Sequence, residues 1–216
     1  MGRSKEWLVP LTGVAFILVG IIGFSISGEP KSADEPVREI VDFYVDKKDS
    51  VQIGAIAGVV AGLLLIFFGA YLRTVLRAAA PEDEMLPLVA FIGLVIVAVG
   101  FAIDGTISFA LAEAADDIDP AAVQALQALW DNDFLPIMLG VLAFLVATGI
   151  SVIRSGALPK WLGWVMTLLA IVGVTPIGFV AAIGAAILVL VLSILLSLRA
   201  RSAAPTAEGS QEGRGQ

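Results

Sequence analysis

The chain has 216 residues, 58% of them hydrophobic and only 15% charged, with a formal net charge of −7. Soluble domains average about 45–50% apolar and about 25% charged, and the surplus here sits in long uncharged blocks, as in a membrane protein with no room for a separate soluble domain. Cysteine and histidine are both absent, which excludes disulfides, thiolate metal sites, cysteine nucleophiles, histidine-ligated haem and the commonest general base.

The five lysines (Lys5, Lys31, Lys47, Lys48 and Lys160) lie at or beyond the ends of the apolar blocks, so a retinal Schiff base has no anchor. No cofactor or metal is expected, and enzymatic activity is disfavoured because no catalytic constellation is evident.

A helix crossing a hydrocarbon core about 30 Å thick needs roughly 20 apolar residues. Residues 8–27 form the first such run, behind Arg3 and Lys5. It exceeds the usual signal-peptide core of about 7–15 residues, which favours a retained anchor over cleavage near Ser25-Ile26-Ser27. In the connection that follows, Ser32 or Asp34 is expected to cap a short helix with Pro36 just inside its start. Val37, Ile40, Val41 and Tyr44 then fall on one face as an apolar stripe.

The second span, residues 51–72, carries Gly54, Gly58 and Gly62 at four-residue spacing. Such a row forms a smooth groove for close helix packing, with a partner inside the chain favoured over a second protomer. Arg73 and Arg77 follow it. The third span, residues 86–111, contains Asp104. Beyond it, Asp119-Pro120 is a cap and first-turn pair, and Val123, Leu126 and Trp130 make a second stripe ending near Asp131-Asn132-Asp133.

Both stripes are expected to bury themselves in the membrane interface or over the bundle; a lid over an outward-facing cavity is the sharper alternative. The carboxylates Glu113, Asp116, Asp117, Asp119, Asp131 and Asp133 flank the second stripe, but their spacing does not match an EF-hand loop.

Residues 134–153 form the fourth span. The last block, residues 161–198, is uncharged over 38 residues and would measure about 57 Å as one helix, too long for a single crossing. Thr175-Pro176-Ile177-Gly178 breaks it, predicting spans over 161–174 and 179–198, with a kinked or re-entrant element as the alternative. The fold expected is therefore all-α: one bundle of six transmembrane helices over residues 1–199, with amphipathic helices in the first and third connections. Residues 200–216 are expected to form a disordered tail.

Nine Lys and Arg residues flank one side of this arrangement and four the other, which puts both termini in the cytoplasm of a multi-pass plasma-membrane protein. The outer connections hold thirteen Asp and Glu, which argues against nucleic acid as a partner. Arg73, Arg77, Arg154, Lys160, Trp161 and Trp164 lie at cytoplasmic span ends, as interfacial anchors do.

Asp104 is the one charge well inside a span, roughly 8 Å outward of the midplane if helix three is centred near Val99. A carboxylate there costs about 2.5–3.5 kcal/mol on insertion scales, so it must be paired, protonated or facing water. It serves either as a proton or cation relay or cationic-ligand anchor, or as a hydrogen-bonding and packing residue. Thr106, Ser108 and Thr148 facing it across a wet cavity would favour the first role.

The turn Arg154-Ser155-Gly156-Ala157-Leu158-Pro159-Lys160-Trp161-Leu162-Gly163 resembles one found in uncharacterised bacterial six-helix membrane proteins carrying a domain of unknown function. There a similar turn joins helices four and five. The resemblance implies a six-helix fold in a bacterial plasma membrane, and no activity accompanies it. The expected role is non-catalytic, through helix packing with membrane lipids, a membrane-protein partner or a second copy of the chain. A transporter or channel for a proton, cation or small amphiphile using Asp104 is the alternative.

Overall fold

The computed structural model describes residues 3–81 and 84–202. A 3-10 segment (Arg3–Leu11) leads into α1 (Thr12–Ser27), followed by α2 (Val37–Asp46), α3 (Lys48–Ala79), α4 (Leu86–Ala114), α5 (Pro120–Trp130), α6 (Phe134–Ser155), α7 (Lys160–Gly173) and α8 (Phe179–Ser202). Among the described residues there is no strand.

Five stretches are long and apolar enough to cross a membrane: Trp7–Ser27, Lys48–Ala79, Leu86–Ala114, Pro120–Ser155 (α5 together with α6) and Phe179–Ser202. The helix α7 has 14 residues, about 21 Å of axial length against a core of about 30 Å. Residues 174–178 turn between α7 and α8.

Several helices outrun the spans expected from hydropathy. The 32-residue α3 begins before residue 51 and carries on through Arg73 and Arg77 to Ala79. Charged ends do not stop a helix whose backbone hydrogen bonds continue. Likewise α8 takes in residues 200–202; the rest of the expected tail lies outside the described residues.

The helices follow one another around a ring. Helix α1 packs on α3, α3 on α4, α4 on α6, α6 on α7 and α7 on α8, and α8 returns to the 3-10 segment and α1. The main core runs down the interior through Phe68, Leu72, Leu94, Phe144, Leu145, Met166 and Leu192. The tightest approach is between α4 and α6. A Cβ placed on Gly93 would lie 2.6 Å from the Phe144 backbone nitrogen, and one on Gly140 2.7 Å from that of Val97. Glycine on both faces lets these two backbones meet, which dispersion and packing reward inside a membrane.

At the end of the bundle away from the termini, α2 and α5 form a cap. Ile40, Tyr44 and Val123 are buried there with Val51, Leu111, Ala112 and Ala115 from the ends of α3 and α4. The Asp119 side chain accepts from Ala121 N at 2.8 Å and starts α5. Helix α2 starts differently from the expectation. Pro36 occupies its cap position without a side-chain bond, because residues 32–35 close their own turn through Glu35 N donating to Ser32 O at 3.0 Å. Polar bonds hold the cap together. Tyr44 donates to Gln127 Oε1 at 2.7 Å, Gln127 Nε2 to Asp131 Oδ1 at 2.9 Å, and Ala33 N to Asp131 Oδ2 at 2.8 Å.

Candidate functional site

Beneath the cap lies a cavity of about 500 Å³ between α1, α3, α4 and α8. Its walls are Phe16 to Phe24 on α1, Val51 to Ala61 on α3, Phe101 to Ser108 on α4 and Ile183 to Leu190 on α8. Spans of eight to eleven helical residues give it about 10–15 Å of depth along the helix axes. Its floor is the contact of Phe16 with Phe101, ring centroids 5.9 Å apart. Tyr44 of α2 and Trp130 of α5 close its roof.

The polar groups are unevenly distributed. Ser27, Tyr44, Asp104, Ser108 and Trp130 line the upper part, and the lower part is entirely aliphatic and aromatic. Asp104 is the one carboxylate among the lining residues. It interacts electrostatically with Asp133, Tyr44 and the Trp130 indole. The Trp130 Nε1–H is buried and turned toward the Asp104 carboxyl. A carboxylate and an indole donor therefore share one chamber.

Of the three hydroxyls whose placement bears on Asp104, Ser108 alone shares this cavity. Thr106 sits on another side of α4 and donates to Ala102 O at 2.7 Å. Thr148 is fully buried within α6, its hydroxyl without a partner among the described residues.

The glycine row on α3 divides among three neighbours. A Cβ on Gly54 would collide with the Ser27 hydroxyl of α1, and one on Gly62 would lie 3.2 Å from Ala98 O of α4, whereas one on Gly58 meets nothing within 4 Å. Gly58 faces the cavity, and Gly20 of α1 faces it in the same way, also with open space around it.

The basic and aromatic residues at the opposite end stand apart from the cavity. Arg73 is exposed on α3, and Arg77 donates to Pro81 O at 2.9 Å. Arg154 lies 3.6 Å from the nearly buried Glu84 carboxylate. Lys160, Trp161 and Trp164 are exposed on α7. The intervening turn is made by Gly156, which ends α6 at φ 66°, a left-handed value that favours glycine. Arg199 of α8 donates to Ala157 O at 2.8 Å and ties the turn to the last helix.

Asp104 is legible in the sequence as a charge in an apolar run. The placement of Tyr44 and Trp130 above it is not, because it depends on how two separate connections dock on each other. Comparison with known protein families, with characterised proteins and with solved structures finds no match for this chain.

Proposed function

We propose that this chain is a six-pass membrane protein, both termini cytoplasmic, which binds an amphiphilic molecule in the capped cavity with its cationic head against Asp104. The observation that carries this reading is the cavity's polarity: one carboxylate and a buried indole donor at one end, apolar side chains over the rest. A volume of about 500 Å³ falls in the range of small-molecule sites, roughly 300–1,000 Å³. A carboxylate desolvated in such a chamber favours a positively charged or hydrogen-donating group, because Coulomb attraction is strongest where water is excluded.

The Lys and Arg bias places the cap on the outer face and the ends of α3, α6 and α8 in the cytoplasm. In that orientation a bound amphiphile has its head outward and its chain toward the midplane, as a lipid of the outer leaflet does. Through-transport of ions has less support. Below the Phe16–Phe101 contact the chain continues into the aliphatic core rather than into a polar path.

The test is equilibrium binding of a fluorescent single-chain alkylammonium to the purified protein in nanodiscs, beside a chain-matched anionic probe. Wild type is expected to prefer the cationic probe, and Asp104→Asn to weaken its binding by about tenfold, or about 1.4 kcal/mol. Equal binding of both probes, or an unchanged affinity in Asp104→Asn, would overturn the assignment. Ion flux in proteoliposomes that vanished in the same variant would replace it with transport.

A further inference from the structure

Resting on that reading, we infer that the amphiphile enters the cavity sideways from the outer leaflet, through a gap between α1 and α8, and not from water through the cap.

The exposure of the lining residues locates the opening. On the roof and on α3, Tyr44 is 1% exposed and Val51 3%. On the facing edges of α1 and α8, Ile21, Phe24, Ile183 and Ile187 are 60%, 68%, 58% and 56% exposed although they line the same cavity. A residue that both lines a cavity and is mostly exposed marks its mouth. This mouth is rimmed by aliphatic and aromatic side chains, on a face of the bundle that meets lipid.

The gap has a structural cause. Helix α8 is fastened to the 3-10 segment and the first turn of α1, toward the cytoplasmic end. There Ser193 donates to Pro10 O and accepts from Val14 N, Ser197 donates to Trp7 O at 3.1 Å, and the Arg201 guanidinium stacks 4.7 Å over the Trp7 ring. Above this clamp the two helices share no hydrogen bond among the described residues, and Gly20 presents no side chain to fill the space. The seams of α3 with α1 and with α4 are closed. Gly54 meets Ser27 across α3 and α1, and a Cβ on Gly105 of α4 would lie 3.1 Å from Ala55 O of α3.

The depth profile matches the source. A molecule in the outer leaflet already has its head at the level of the cap and its chain toward the midplane, so it reaches Asp104 by lateral motion without turning over. Passage through the cap would require the buried Tyr44–Gln127 hydrogen bond to break, leaving two polar groups unpaired.

The native chain has no cysteine, so Ile21→Cys with Ile187→Cys introduces the sole thiols. Reconstituted in vesicles, this double variant is joined across the gap with a flexible, reducible bifunctional thiol reagent. Uptake of a fluorescent long-chain alkylammonium preloaded in the outer leaflet is then followed. Cross-linking is expected to abolish uptake, and reduction to restore it. If uptake by the cross-linked protein matches that of the reduced protein, lateral entry is overturned while the site itself stands. If the uncross-linked protein takes up no probe although wild type does, Ile187→Trp, which narrows the mouth, replaces the pair; it must slow both uptake and release of the probe, and unchanged rates overturn lateral entry. Failure of wild type to take up the probe would remove the amphiphile reading itself.

Discussion

Two helix seams in this bundle are built from the same residue classes and have opposite outcomes. Between α4 and α6, Gly93 and Gly140 oppose each other so closely that a Cβ on either would enter the other helix's backbone. Between α1 and α8, Gly13 lies where a Cβ would come 3.0 Å from Ser193, but Gly20, two turns further along α1, faces open space. A small residue closes a seam only when a second small surface is placed opposite it at the same depth. Where no surface opposes it, the same glycine widens a cavity.

The sharpest way to break the closed seam is Gly93→Leu. Its side chain has no room short of moving α6, and the bundle should lose about 1–3 kcal/mol or more, read as a lower denaturation midpoint in detergent. Tyr44→Phe comes next. It leaves the fully buried Gln127 without its phenol partner and should cost about 1–3 kcal/mol, read as faster hydrogen exchange confined to α2 and α5.

The same tyrosine carries a pH signature. Burial, with the nearby Asp131 and Asp104 charges, pushes its phenol above the ordinary value of 10.0. Because the folded value exceeds the unfolded one, this contribution to stability is complete below the unfolded value and is lost as pH rises through the folded one. The cap should therefore loosen in strong alkali, and Tyr44→Phe should remove that part of the alkaline sensitivity.

On the open seam, Ser193→Ala removes the clamp to Pro10 and Val14. A loss of about 0.6 kcal/mol, at most about 1.7, is expected from hydrogen bonds of this kind in membranes, with spin labels on α1 and α8 moving apart at the ends nearest the chain termini. Gly58→Leu should have the smallest effect on stability, neutral or raised by up to about 1 kcal/mol through helix propensity, since its new side chain enters empty space. Binding of the alkylammonium probe should nevertheless be lost. A clear loss of stability in this variant would show that the cavity is not open as described.

The contrast also separates what can be read along the chain from what cannot. Each apolar run between charged or proline-containing connections became a helix, because backbone hydrogen bonding within a segment and the hydrophobic length of that segment are local properties. The stripes at Ile40 with Tyr44 and at Val123 were visible for the same reason, since residues three and four apart share a helix face. Asp104 was visible because a carboxylate within an apolar run is costly wherever the helix packs. The α4–α6 glycine contact was not anticipated. Gly93 and Gly140 are far apart in the chain, and neither belongs to a regular four-residue row like the one on α3.

The sequence by itself determined that the chain is a set of apolar helices with one interior carboxylate and two amphipathic connections. Tertiary structure alone decided that α2 and α5 dock above Asp104, that Gly58 faces a void while Gly54 and Gly62 face helices, and that α8 is clamped to the N-terminal segment at one end only. Local hydrogen bonding and hydropathy depend on neighbours in the chain. A cavity is the space left when particular helices fail to meet, and that depends on the angles at which distant segments pack.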